Sequence, residues 1–199
     1  MEVEIRKATP QDGEQAVPLL LESGRDSLVS IFGLGNVKRA SDYLHDTWVR
    51  RHGQYGSDSH WVATCNGEIA GLVTCWHDGL PDDFDRQTLA SVTEFYGIDT
   101  AMDVVMRSQQ VTVALNPPEK MELGIGHLAV SPIYQRTGIA TMLVRFMEQH
   151  ARELKKFALV LDVHRSNTGA IRFYTQQGFA VRQTLSAFMQ MAKGISPAV

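Results

Sequence analysis

Cysteine is nearly missing from this 199-residue chain, which has only Cys65 and Cys75. Two cysteines are too few for a disulfide scaffold, and their spacing is not that of a zinc site. Both sit in apolar runs, so buried free thiols in a reducing compartment are expected. No apolar run approaches the roughly 20 residues that span a bilayer. The opening MEVEIRKATP mixes acidic and basic side chains with few apolar ones, unlike a secretion signal. Positive charge is not in excess either. The formal net charge is −3, so no basic majority draws the chain to nucleic acid. The seven histidines show no i, i+4 pair around a carboxylate, which leaves no metal motif. Gly33-x-Gly35 and Gly124-x-Gly126 lack the third glycine of a dinucleotide fingerprint. Gly124 and Gly126 are expected instead to let a ligand or another backbone approach a strand closely. These absences point to a cytoplasmic globular protein without metal, membrane span or nucleic-acid partner.

Hydrophobic residues make up 44% of the chain and charged residues 21%, which suits one domain with a substantial core. The alternation in VEIRKA predicts a first strand, and Thr9-Pro10 predicts a helix start, with Pro18 kinking or shortening that helix. LVSIFGLGNVKRA reads as a glycine-containing loop leading to a helix over 41–51. Two β-prone runs, 60–65 and 68–76, flank Asn66-Gly67, a strong hairpin signal. Residues 77–120 read as a helical pair inserted between strands. MELGIGHLAV predicts a central strand, and Ile139, Leu143, Phe146, Met147, His150 and Leu154 recur at helical spacing after it. FALVLDV predicts a strand covered on both faces, and NTGAIRFYTQQG a short helix stopped by Gly178. One or two strands then end the fold, with KGISPAV as a loose tail. The order predicts an α/β fold: a mixed, mostly antiparallel central sheet flanked by helices. It contains a parallel β-α-β unit over 121–162.

The stretch from Gln135 to Ala140 joins that central strand to its helix. The first N–H groups of a helix lack internal partners and carry partial positive charge, so an anion satisfies both. Gly138 and Ala140 leave room for phosphate oxygens, and Arg136 offers a charge-assisted contact. Taken alone, Gln-x-x-Gly-x-Ala fits a plain structural turn as well.

The neighbouring segments add to this. HLAVSPIY precedes the loop, Gln135-x-x-Gly138-x-Ala140 forms it, and Asn167, Ala170, Phe173, Tyr174, Gly178 and Phe179 come after it in N-x-x-A-x-x-F-Y-x-x-x-G-F spacing. In these motifs residues 121–180 resemble the GNAT superfamily of N-acetyltransferases. IRKATPQD is similar to its first strand and turn, while 77–120 matches nothing recognisable in it. The resemblance implies acetyl-CoA as cofactor and an amine acceptor, either a small molecule or the amine of a peptide or protein. It implies that the backbone of Arg136, Thr137, Gly138, Ile139 and Ala140 takes the pyrophosphate. It also implies that the Leu128–Ala129–Val130 strand offers main-chain groups to the pantetheine arm, with Asn167 beside it. That use requires the strand to part from its neighbour, for which a bulge would serve.

By the same resemblance, Tyr174 is the candidate acid that protonates the departing thiolate. Helical spacing puts it on one face with Ala170 and Ile171, pointing inward. For the base, His127 is the first candidate and Glu122 the second. Their opposite parity along the strand predicts that at most one faces the site. A core histidine and a rim glutamate are the alternative readings. Direct transfer in a ternary complex is implied, with 24–58 and 77–120 as acceptor walls. The sequence leaves three matters open: a non-catalytic acetyl-CoA-binding module, transfer of a longer acyl group or to a hydroxyl, and whether the chain acts as a monomer or homodimer.

Overall fold

Asn66 and Gly67 both adopt left-handed backbone (φ 52° and 84°), as a tight turn between twisted strands demands. They join β2 (His60–Cys65) to β3 (Glu68–Trp76), the two strands the sequence predicts. The structure, a computed structural model, describes residues 2–196. Around this hairpin lies a seven-stranded sheet in the order β1-β2-β3-β4-β5-β7-β6. The other strands are β1 (Val3–Lys7), β4 (Glu122–Val130), β5 (Ala158–His164), β6 (Ala180–Leu185) and β7 (Phe188–Gly194). Among the described residues only the β4–β5 pairing is parallel; every other neighbour is antiparallel. This is the mixed, mostly antiparallel α/β sheet expected.

Helices cover both faces. One core gathers Val62 and Leu72 of the sheet with residues of α1 (Gly13–Ser23) and α3 (Val37–Arg50), including Leu20, Tyr43 and Trp48. The other gathers Leu123, Ile125, Leu159 and Leu161 under α6 (Ile139–Glu153). In α6, Ile139, Leu143, Val144, Met147 and Ala151 are buried on one stripe, which is why this segment is a helix laid on a sheet. The segment between β3 and β4 holds α4 (Phe84–Tyr96) and α5 (Ile98–Thr112), with Gly97 turning the chain between them. This helical pair is tied to the α1/α3 layer by two phenols. Tyr96 Oη donates to Phe32 O (2.6 Å), and Tyr43 Oη pairs with Ser91 Oγ (3.1 Å).

Three sequence expectations are corrected. The stretch expected to be a loop is helical: α2 (Arg25–Leu28) runs into a π turn over Val29–Gly33, because burying Leu28, Ile31 and Phe32 calls for helical spacing. α3 starts at Val37 rather than 41, since the Asn36 side chain accepts the Arg39 N–H (3.1 Å) and caps it. The expected loose tail is partly structured. Lys193 and Gly194 end β7, and Ile195, 6% exposed, donates its N–H to Phe157 O (2.7 Å). The rest of that tail from residue 197 lies outside the described residues.

Candidate active site

β4 and β5 pair only briefly, Glu122–Gly124 against Ala158–Val160, and then part. The cause is on the other side of β4. There a bulge sets the single residue Val73 of β3 against both His127 and Leu128, and His127 takes left-handed backbone (φ 47°). An extra residue in one strand bends it and increases its twist. The second half of β4 therefore keeps β3 and loses β5. Ala129 O lies toward β3, where a Cβ on Gly71 would sit 2.8 Å from it. By alternation the main-chain groups of Leu128 and Val130 point into the gap, a free strand edge.

The loop after β4 lies at the same end. A short 3-10 turn over Pro132–Tyr134 leads to Arg136 (φ 62°) and Gly138 (φ 95°), and α6 starts at Ile139. The first intrahelical bond is Met142 N–H to Gly138 O (3.0 Å). Every backbone N–H from Arg136 to Thr141 lacks a protein acceptor among the described residues. Amides left free at a helix N-terminus, beside an exposed Arg136 without an ion pair among the described residues, suit an anion. Gly138 is required first by its backbone: a left-handed residue reverses the chain into α6. A Cβ there would meet no atom within 4 Å, so the space above it is also open. Gln135 extends its side-chain amide toward Val130 O at 3.5 Å, and Thr137 Oγ1 donates to Tyr134 O (2.6 Å).

Past the gap, β5 leads to α7 (Thr168–Gln176). Asn167 caps it, its side-chain oxygen accepting the Ala170 N–H at 3.0 Å, which leaves the amide nitrogen free for another partner. Tyr174 points inward and is 9% exposed, edge-on to Phe173 and Phe179 at 5.2 and 5.5 Å. Its hydroxyl has no protein partner among the described residues and is not sealed from solvent. Burial pushes the phenol up to about 12, so it stays protonated at neutral pH.

The bulge overturns the parity expected for Glu122 and His127. Leu123 and Ile125 face the α6 core, Gly126 faces Trp76, Leu128 and Val130 return to the α6 side, and Ala129 meets the α1/α3 core. The inserted residue puts His127 on the α1 side too, where its Nδ1 meets Ser23 Oγ (2.8 Å) and its ring lies edge-on to Tyr55 (5.8 Å). Glu122 and His127 thus share a face. They do not share a task. Glu122, 8% exposed, is gripped by the Arg182 guanidinium, whose Nη2 is at 3.3 Å, and accepts the Glu119 N–H (2.9 Å). Arg182 Nε also donates to Gln190 Oε1 (2.7 Å), so the pair clamps β4 to the β6–β7 hairpin. As second candidate base Glu122 is already occupied. Glu122→Ala is expected to cost about 1–3 kcal/mol, less than breaking a fully buried pair, because Arg182 is partly exposed. Thermal unfolding should show this loss, with acetyl-CoA affinity within about twofold of wild type.

His127 is half-buried, and burial pushes its pKa down to about 4, so the ring is neutral at pH 7. Gly124 and Gly126 correct another expectation. What comes close to them is neither ligand nor backbone but the Trp76 indole, 2.5 Å from where a Gly126 Cβ would stand. Ser23, Tyr55 and Trp76 carry no local motif; each matters through a contact across the fold.

Among the described residues no helix is long and apolar enough to cross a membrane, and no three His, Cys, Asp or Glu side chains cluster as metal ligands. The fold matches solved acetyltransferases. An N-acetyltransferase from Staphylococcus aureus Mu50 is 17% identical with a TM-score of 0.67, over 95% of this chain and 98% of that one. A second acetyltransferase structure is 20% identical, with a TM-score of 0.65 over 97% and 100%. The PaiA N-acetyltransferase from Thermoplasma acidophilum, solved in complex with coenzyme A, is 16% identical with a TM-score of 0.58, over 98% and 99%. At these identities the likeness establishes the fold alone. No curated protein matches the chain. Residues 26–179 match the model of the acetyltransferase (GNAT) family, and the chain belongs to that family. Acetyl-CoA is the acyl donor of this family.

Proposed function

We propose that the protein is a cytoplasmic, single-domain N-acetyltransferase that moves the acetyl group of acetyl-CoA directly to an amine, from a small molecule or from a peptide or protein. The observation that carries this is a pair of unsatisfied backbone surfaces side by side: the free edge of β4 and the unpaired amides from Arg136 to Thr141. One suits an extended amide-containing arm and the other a pyrophosphate. When bound, acetyl-CoA supplies an activated acetyl thioester. The chain's own groups do the rest. Arg136 to Ala140 hold the phosphates by their N–H groups, and Leu128 and Val130 hold the arm by their main chain, with Ala129 keyed to β3. Gln135 steadies the turn, and the free nitrogen of Asn167 would be available to the arm. His127 Nε2 accepts the proton that the attacking ammonium loses, and Tyr174 Oη donates one to the leaving group. Cys65 and Cys75 lie on β2 and β3, away from this edge, which favours direct transfer over a covalent relay. The α4–α5 insert and the α2 region form the acceptor walls.

An amine panel, assayed for CoA release, tests this reading. At least one amine class is expected to drive release well above acetyl-CoA hydrolysis. Tight acetyl-CoA binding with no release from any amine would instead make the protein a coenzyme-binding module.

A further inference from the structure

The last residue of α1 meets the bulge of β4 in one hydrogen bond, between Ser23 Oγ and His127 Nδ1 (2.8 Å). The direction of that bond is set by a second one. Ser23 Oγ also lies 2.6 Å from Leu20 O, a carbonyl that can only accept. Two oxygens so close need a hydrogen between them, and a serine hydroxyl has only one. The hydrogen shared with His127 must then come from the imidazole. We infer that Ser23 is a positioning residue for the proton transfer: it holds His127 as the Nδ1–H tautomer and leaves the lone pair on Nε2 free.

The surroundings of the ring agree. Nε2 has no protein partner among the described residues and is not sealed from solvent. The groups facing the ring are Ser23 and Gly24 at the end of α1, the Tyr55 ring edge, and His60, itself neutral at pH 7 because burial pushes its pKa down to about 3. With no carboxylate at hand among the described residues, the hydroxyl is the group that selects the tautomer. Its own hydrogen is oriented by Leu20 O, one of the orphan carbonyls of the last turn of α1. Those carbonyls carry partial negative charge. When Nε2 takes a proton from an ammonium, the amine keeps the electron pair and positive charge forms on the ring beside this negative helix end. The proton then passes to solvent and Nδ1 stays bonded to Ser23 throughout. Helix end, hydroxyl and imidazole form a chain of donors pointing one way. The use of the Nε2 lone pair rests on the acyltransferase reading; the tautomer does not.

The test uses the full chain with 15N-labelled histidine, free of ligands, in wild type, Ser23→Ala and Ser23→Thr. Wild-type His127 is expected to show a protonated Nδ1 and a bare Nε2. Ser23→Ala should lose this single-tautomer signature, and Ser23→Thr, which keeps the hydroxyl, should retain it. In the CoA-release assay, with the best amine of the panel, Ser23→Ala should lower kcat about tenfold. KM for acetyl-CoA should stay within twofold, and threonine should restore the rate. A wild-type ring protonated on Nε2, or an unchanged tautomer in Ser23→Ala, overturns the inference. If the tautomer behaves as expected while no amine releases CoA from wild type, Ser23 keeps its control of the tautomer and the acyltransferase reading falls instead.

Discussion

Tyr174→Phe is expected to lower kcat by about a hundredfold or more, with the acetyl-CoA Kd within about twofold of wild type. The change removes a single oxygen and leaves the ring among Phe173 and Phe179. That oxygen makes no hydrogen bond to the protein among the described residues, so its removal orphans no partner. A thermal midpoint close to wild type should accompany the loss in rate. Few substitutions separate chemistry from folding so cleanly. Because burial holds the phenol near 12, Tyr174 stays protonated across the neutral range and should add no basic limb to the rate below about pH 10. Normal turnover of the phenylalanine variant on its acceptor would rule out the acid role.

The second large effect is expected in binding. Gly138→Val should weaken acetyl-CoA by more than tenfold, which is about 1.4 kcal/mol or more. Gly138 sits at φ 95°, a conformation that a β-branched residue adopts only with strain of about 1–3 kcal/mol. Relieving that strain rotates the peptides on either side, and these carry the unpaired amides of the loop. Binding suffers because the amides no longer converge. Nothing lies within 4 Å of the added Cβ, so the variant is expected to fold. Gly138→Asn, which tolerates left-handed backbone better, should fall between valine and wild type. Calorimetry of the three proteins checks the order. A folded valine variant with unchanged affinity would remove the loop from the cofactor site.

Much of this molecule is legible in its order of residues. Asn66-Gly67 marks its hairpin, the stripe from Ile139 marks α6, and the continuous apolar run through Leu159 and Leu161 marks a strand buried on both faces. The loop from Gln135 to Ala140 is legible for the same reason: each of these signals lies within a few residues. The stretch at 29–33 misled because Gly33, followed closely by Gly35, looks like a loop, while burial of Ile31 and Phe32 keeps it helical. Burial there depends on α3 and the inserted helices, which no window of local sequence contains.

The candidate base illustrates the limit best. Alternation along β4 is a sound rule until a residue is inserted. Nothing in GIGHLAV announces that His127 will adopt positive φ. The bulge shows only in how β4 pairs with β3, and it moves His127 to the side of Ser23, 104 residues earlier in the chain. Glu122 in turn is held by Arg182, 60 residues later in the chain.

The elements, the order of the β-α-β unit and the type of each candidate group are written in the chain itself, since backbone preference and periodicity are local properties. Which of those groups is free to act is settled by packing in three dimensions. Whether a carboxylate is occupied, an imidazole oriented or a strand edge open depends on the partners that packing brings together. Those contacts come from residues far apart in the chain.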